Sequence, residues 1–245
     1  LLVEHRDRRL RTRDEIAQAV GAPVLASLRV PGGSSVEHYA RLLERWTPSA
    51  VENVALRQAF TDLGLTGRGP PANIVVVSLP GDSAALGLAA ELAAFAAAVE
   101  TTTSFIVATR HATATKLAAA SRRPITRSHL RVHPVAGDLH ADELLSTELT
   151  VAVVVTEAGE TPLPTWGRPT VAVLAVSSGF ATADALASTA LSYLDAGDPF
   201  GGVLIANPER SDGTTGRLHI SGHAVRGVHR RREIGGAAQT ELSVP

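Results

Sequence analysis

The sequence has no cysteine and no methionine, and only 4% of its 245 residues are aromatic. The absence of cysteine excludes disulfide bonds, thiolate zinc sites and a cysteine nucleophile. With so few aromatic side chains the chain has few stacking surfaces for single-stranded nucleic acid, and a formal net charge of -1 gives no overall attraction to phosphate backbones. We therefore predict no nucleic-acid partner. Because position 1 is leucine, we expect a further segment upstream of it.

Hydrophobic residues make up 44% of the chain, which is long enough for one large α/β domain with a buried core. From residue 72 onward, short β-branched runs alternate with alanine-rich runs of helical spacing, a pattern typical of βαβ units around a parallel sheet. The predicted strands are 74–79, 104–108, 149–155, 170–176 and 202–206, and the predicted helices are 84–99, 112–122, 139–146 and 182–195. Upstream, a short strand is predicted within "GAPVLASLRVP", followed by helices over 36–46 and 50–63.

The N-terminal segment is rich in positive charge. It begins with apolar residues and then carries five arginines, which are Arg6, Arg8, Arg9, Arg11 and Arg13. Such a block is typical of a chain that leaves a membrane on its cytoplasmic side, and it is equally compatible with the solvated start of a basic helix. The longest apolar tract, near residues 84 to 99, contains Glu91 and is not predicted to span a membrane.

A strand, a loop and a helix follow one another in "IVVVSLPGDSAALGLAAELAAF", residues 74 to 95. In a phosphate-binding loop of this shape, backbone N–H groups hold phosphates, a lysine contacts them, and a serine or threonine holds Mg²⁺. Here the only lysine of the chain is Lys116, far downstream, and Asp82 puts a carboxylate where phosphate would lie. We interpret Asp82 and Ser83 as structural caps of the helix. The predicted remnant of a nucleotide site consists of Pro80, Gly81, Asp82, Ser83, Ala84, Ala85 and Leu86.

Several segments together resemble one family. "DRRLRTRDEIAQAVGAPVLASLRVP", "VALRQAFTDL" and "GGVLIANPE" are similar to the cytoplasmic part of actinobacterial polysaccharide chain-length determinants joined to a bacterial tyrosine kinase domain. That group is related to the septum-positioning and partitioning ATPases. The resemblance extends from about Glu4 to Asn207. It implies a three-layer α/β fold of the P-loop NTPase type with a mostly parallel sheet, at the cytoplasmic face of the plasma membrane.

The departures from the family concern its chemistry. The family lysine and metal-binding hydroxyl fall near Ala85 and Leu86, and Glu157 is the only carboxylate at the later metal position. We therefore predict no cofactor, no metal and no catalytic residue. The tail "HRRREIGGAAQTELSVP" lacks the family's tyrosine cluster. Other positions carried over are Asn207, on the side of the nucleotide base, and Arg57, the one residue of the oligomerisation motif E-x2-R-x2-R that is retained.

The resulting interpretation divides the chain into a juxtamembrane extension and linker over 1–48, a degenerate kinase-like domain over 49–226, and a tail over 227–245. We expect an inactive interaction or assembly domain of a membrane-anchored protein in polysaccharide biosynthesis, chain-length control or export. Its expected partners are further copies of itself and polysaccharide assembly or export proteins. The alternatives are an ATPase or tyrosine autokinase that uses non-standard residues, such as an arginine, and a soluble partitioning-type ATPase.

Overall fold

The computed structural model describes residues 8–65, 71–108, 111–133, 147–160 and 170–218. In these ranges seven parallel strands form one sheet, which contains β1 (Val24–Leu28), β2 (Ala72–Ser78), β3 (Thr103–Val107), β4 (Leu130–His133), β5 (Leu149–Val155), β6 (Val171–Ser177) and β7 (Phe200–Ala206). The helices are α1 (Arg13–Val20), α2 (Val36–Arg45), α3 (Ala50–Asp62), α4 (Ser83–Ala98), α5 (Thr115–Ala120) and α6 (Ala183–Asp195), with a short 3₁₀ turn over Ala112–Ala114. The strand order is β1-β7-β6-β2-β5-β3-β4.

Helices cover both faces of this sheet and so make three layers. On one face Ile74 and Val76 belong to the apolar core formed with α2, α3, α4 and α5. On the other face Val75 and Val77 pack with residues of α1 and α6. Because both faces are covered, the central strands are apolar at nearly every position rather than at alternate positions.

Helix α4 is the central helix of the first layer and is buried along most of its length. Its alanines let the backbone approach the sheet and the neighbouring helices closely. The tightest approach is at Gly87, where a Cβ atom would lie 2.5 Å from a methyl group of Val30. Glycine is therefore required at this position by packing rather than by backbone conformation.

The five predicted strands from residue 72 onward are confirmed, with ends shifted by up to two residues. The strand predicted within "GAPVLASLRVP" is β1, which pairs with β7 at one edge of the sheet. The predicted helix over 112–122 is divided into the 3₁₀ turn and α5, and the predicted helix over 139–146 lies outside the described residues. Strand β4 was not predicted, because its four residues are too few to show a β pattern.

The division of the chain at residues 48 and 226 stays a prediction. The structure adds that β1, which belongs to the first of those segments, is part of the same sheet as the strands that follow. Across the described ranges, no helix combines the length and the apolar character needed to cross a membrane.

Candidate functional site

The strand order locates the point of the sheet where a ligand site is expected. The chain leaves β2 through α4 toward β3 on one side, and it leaves β6 through α6 toward β7 on the other. In open α/β sheets, neighbouring strands whose connections run in opposite directions leave a crevice at their carboxyl ends, and ligands bind there. The crevice expected here lies between Ser78 and Ser177, at the ends of β2 and β6.

The carboxylate of Asp82 bridges the two sides of this crevice. Asp82 is the N-cap of α4, and its Oδ1 accepts a hydrogen bond from the Ala85 N–H at 3.0 Å. The same oxygen accepts from the Ser177 hydroxyl at 2.5 Å, while Oδ2 accepts from the Ser177 N–H at 2.7 Å. Asp82 is only 2% exposed. A side chain of the protein itself thus takes up the anion-binding end of α4.

Burial and hydrogen bonding have opposite effects on the ionisation of Asp82. Burial raises the pKa of this carboxyl group, and it outweighs the hydrogen bonds from Ser177 and Ala85, which lower the pKa. An anion beside the carboxylate would add a like charge in a poorly solvated position.

The loop before α4 is also held by contacts inside the protein. Gly81 has a φ of +88°, which favours glycine, and its N–H donates to the Thr113 Oγ1 at 2.8 Å. The buried Tyr39 hydroxyl donates to the Ser83 carbonyl at 2.9 Å, and burial raises the pKa of Tyr39 to about 12. A loop N–H that could face a phosphate is thus bound to a threonine instead.

His111 contacts Thr113, the residue that binds the loop, and it also lies near Glu157. The Thr113 N–H donates to His111 Nδ1 at 3.2 Å, so Nδ1 is an acceptor and a neutral ring carries its proton on Nε2. Nε2 lies 3.9 Å from Oε1 of Glu157, whose side chain is 65% exposed. His111 therefore caps the 3₁₀ turn. Throughout the described ranges, no group of three or more histidine, aspartate or glutamate side chains is arranged to hold a metal ion.

The positions that correspond to the family lysine and metal-binding hydroxyl are both buried. Ala85 and Leu86 are 0% exposed and belong to the core beneath the sheet. Lys116 is exposed on α5. A charged side chain at position 85 or 86 would have to leave that core to contact a ligand. The interpretation of residues 80–86 as a remnant of a nucleotide site stays a prediction.

The other two residues predicted from the family resemblance, Asn207 and Arg57, each make a hydrogen bond within the protein. Asn207 has a φ of +51°, and its N–H donates to the Leu28 carbonyl at 2.8 Å, so it forms the turn that follows β7. Arg57 is exposed on α3, and its Nε donates to Asn53 Oδ1 at 2.7 Å. Neither residue touches the Asp82 bridge. Their predicted roles, base recognition for Asn207 and oligomer contact for Arg57, stay predictions.

The predicted arginine block is divided by the structure. Arg6 lies outside the described residues, and Arg8 and Arg9 are exposed. Arg11 Nη1 donates to Oε1 of Glu209 at 3.0 Å. Arg13 is turned inward, where its guanidinium donates to one side chain and two backbone carbonyls, those of Ser27, Asp212 and Thr214. Arg13 therefore ties the N-terminal segment to the chain after β7.

The residues that sequence reasoning missed are the partners of the loop. Ser177 and Thr113 are 95 and 32 residues from the groups that they contact. Ser177 and Ser178 at the end of β6 were a possible signal, because ligands bind at the carboxyl ends of parallel strands in open α/β sheets. Only the strand order shows that Ser177 faces Asp82.

The sheet and its two helical layers form a three-layer α/β fold with a parallel sheet, which is consistent with the P-loop NTPase-like fold that the sequence predicts. Among solved structures, the chain is similar to "the chimerical protein CapA2B2", with a TM-score of 0.55 and 16% sequence identity. The similarity covers 80% of this chain and 98% of that one. No protein-family model matches the chain, and no curated protein is significantly similar to it. At this identity, the similarity concerns the fold.

Proposed function

We propose that this chain is a catalytically inactive interaction domain of a membrane-anchored protein in polysaccharide biosynthesis, chain-length control or export. Support comes from the fold, from the motifs that resemble actinobacterial chain-length determinants, and from the similarity to CapA2B2. The relation to that actinobacterial family is part of the proposal.

The proposal that the domain is inactive rests mainly on the Asp82 bridge. Both carboxylate oxygens are bound inside the protein, and they lie where a phosphate would meet the N-terminus of α4. A phosphate charge about 4 Å from this carboxylate would be repelled by about 4 kcal/mol at an effective dielectric constant of about 20. The missing lysine removes the attraction that would offset this repulsion. Nucleotide binding is therefore disfavoured both by the repulsion from Asp82 and by the lack of a lysine.

A second observation opposes tyrosine autophosphorylation. The sequence contains two tyrosines, Tyr39 and Tyr193. They are 1% and 0% exposed, respectively. Neither hydroxyl is accessible to a kinase while the domain is folded. An autokinase would have no tyrosine target in this chain.

Calorimetric titration of the whole chain with Mg-ATP tests the proposal. We expect no heat of binding up to millimolar nucleotide and no phosphate release. An Asp82→Asn variant removes the negative charge and keeps a side chain of the same shape. Weak binding by this variant alone would assign the exclusion to charge repulsion. Tight binding with turnover by the unmodified chain would contradict the proposal.

The interaction role is proposed for the exposed side of α3. Val51 and Val54 are 80% and 69% exposed there, beside Arg57. Large apolar side chains with this exposure on neighbouring helical turns favour contact with another protein surface. We assign self-association to this side of α3 as part of the same proposal. The cytoplasmic membrane face is proposed from the family resemblance and from the exposed Arg8 and Arg9.

A further inference from the structure

A second group of polar atoms lies near the amino-terminal end of β7, on the side of the sheet opposite to the crevice. Tyr193 is in the last turns of α6, and Asp198 is in the loop between α6 and β7. The two residues are joined through the backbone, because the Asp198 N–H donates to the Tyr193 carbonyl at 3.0 Å. The loop thus folds back and brings the carboxylate toward the buried end of α6.

Both side chains are buried without a hydrogen-bond partner in the described part of the protein. Asp198 is 3% exposed and Tyr193 is 0% exposed. The phenolic oxygen and both carboxylate oxygens lack a partner. Burial raises the pKa of the Tyr193 hydroxyl, and the charge of Asp198 raises it further. The backbone hydrogen bond between the two residues keeps these unpartnered oxygens in one buried region.

No cationic side chain compensates this carboxylate among the described residues. The sequence of α6 contains no lysine or arginine. Helix α1, which packs with α6 on this face of the sheet, contributes only Arg13, and that guanidinium is bound to Ser27, Asp212 and Thr214. Burying a carboxylate without a partner is strongly unfavourable, and buried charges are normally paired or bound to a metal ion.

We infer that Tyr193 and Asp198 form a binding site for a monovalent cation of the alkali class. The three oxygen atoms are hard donors of the kind that alkali and alkaline-earth ions prefer over nitrogen or sulfur. One positive charge balances the single carboxylate. The flanking Gly197 and Pro199 are exposed, so an ion can enter from the loop. The site is independent of the Asp82 bridge and of the proposed function.

Thermal unfolding of the whole chain in different chloride salts at constant ionic strength tests this inference. With tetramethylammonium as the reference cation, we expect saturating K⁺ or Na⁺ to raise the Tm by about 2 to 4 °C. Asp198→Asn should abolish the difference between salts and melt above the unmodified chain in tetramethylammonium, because it removes the uncompensated charge. Tyr193→Phe should weaken the effect.

Asp195→Asn is the matched control, because Asp195 is an exposed carboxylate three residues before Asp198, at the end of α6. It should respond to K⁺ as the unmodified chain does. If Asp198→Asn does not fold, the Tyr193→Phe titration and the broadening of the ²³Na resonance by the unmodified chain carry the test. Equal melting in all salts would overturn the inference, as would an ion effect that persists in Asp198→Asn.

Discussion

Glu91 is a buried carboxyl group whose ionisation should destabilise the fold. It lies in the middle of α4 and is 0% exposed, and neither carboxylate oxygen has a hydrogen-bond partner in the described residues. Burial, with a smaller effect from the charge of Glu52, raises the pKa of Glu91 to about 8 from an ordinary value of 4.5. The perturbation that tests this environment is Glu91→Gln, which keeps the size and removes the titration.

The direction in which the free energy of unfolding changes with pH follows from the raised pKa of Glu91. Below pH 4.5 the carboxyl group is protonated in the folded and the unfolded chain, so its full contribution to stability is present. As the pH rises from about 4.5 to about 8, the folded state keeps a proton that the unfolded state has lost, so the free energy of unfolding falls, and above about 8 it falls no further. At about 1.4 kcal/mol per pH unit, the loss is about 3 kcal/mol by pH 7 and about 5 kcal/mol above pH 9.

Urea unfolding of both proteins at pH 4, 7 and 9 measures this loss. The Glu91→Gln variant should lack it and should exceed the unmodified chain by several kcal/mol at pH 9, while the two differ little at pH 4. Glu160→Gln is the control, because this exposed glutamate should leave the pH dependence unchanged. Parallel pH dependences of Glu91→Gln and the unmodified chain would refute the reasoning.

Three further perturbations address the site and its support. Asp82→Ala removes the cap of α4 and leaves the Ser177 N–H and hydroxyl without their acceptor. We therefore expect the unfolding free energy to fall by about 2 to 4 kcal/mol in urea titrations. The control is the exposed Asp184→Ala, which should cost less than about 1 kcal/mol. An unchanged midpoint for Asp82→Ala would contradict the bridge. Gly87→Ala places a methyl group against Val30 and should lower the unfolding free energy by about 1 to 3 kcal/mol in the same titrations, and an unchanged midpoint would contradict the close packing at this position. Val54→Asp should reduce the mass measured by light scattering without changing the Tm, and an equal loss of mass in Leu191→Asp, at an exposed apolar position on α6, would argue against a specific contact.

The sequence was sufficient to predict six of the seven strands of the sheet. Strands such as β5 and β6 are continuous runs of valine, alanine and leucine, since both faces of the sheet are buried. The cap at Asp82 was also predictable, because the interaction between an N-cap carboxylate and the N–H three residues later is local. Prediction succeeded where the physical cause lies within a few residues along the chain.

The remainder of the site depends on contacts between distant segments. Nothing near Asp82 in the sequence shows that Ser177 closes the crevice, because this contact follows from the position of β6 beside β2. The arginine block was predicted either to face a membrane or to be solvated, and the partial burial of Arg13 against the chain after β7 depends on β1 joining the sheet beside β7. Strand β4 was missed because it is an edge strand of only four residues.

We propose that Asp82 occupies the position at which a phosphate would otherwise bind, and this proposal can be tested directly. The most direct measurement is an NMR titration of the ¹⁵N-labelled chain with Mg-ADP, in which the amides of Gly81, Ala85 and Ser177 report on the loop and on the bridge. We predict that these three resonances stay unshifted up to millimolar nucleotide. Saturable shifts of all three, with the Asp82 carboxylate displaced from Ser177, would contradict the account.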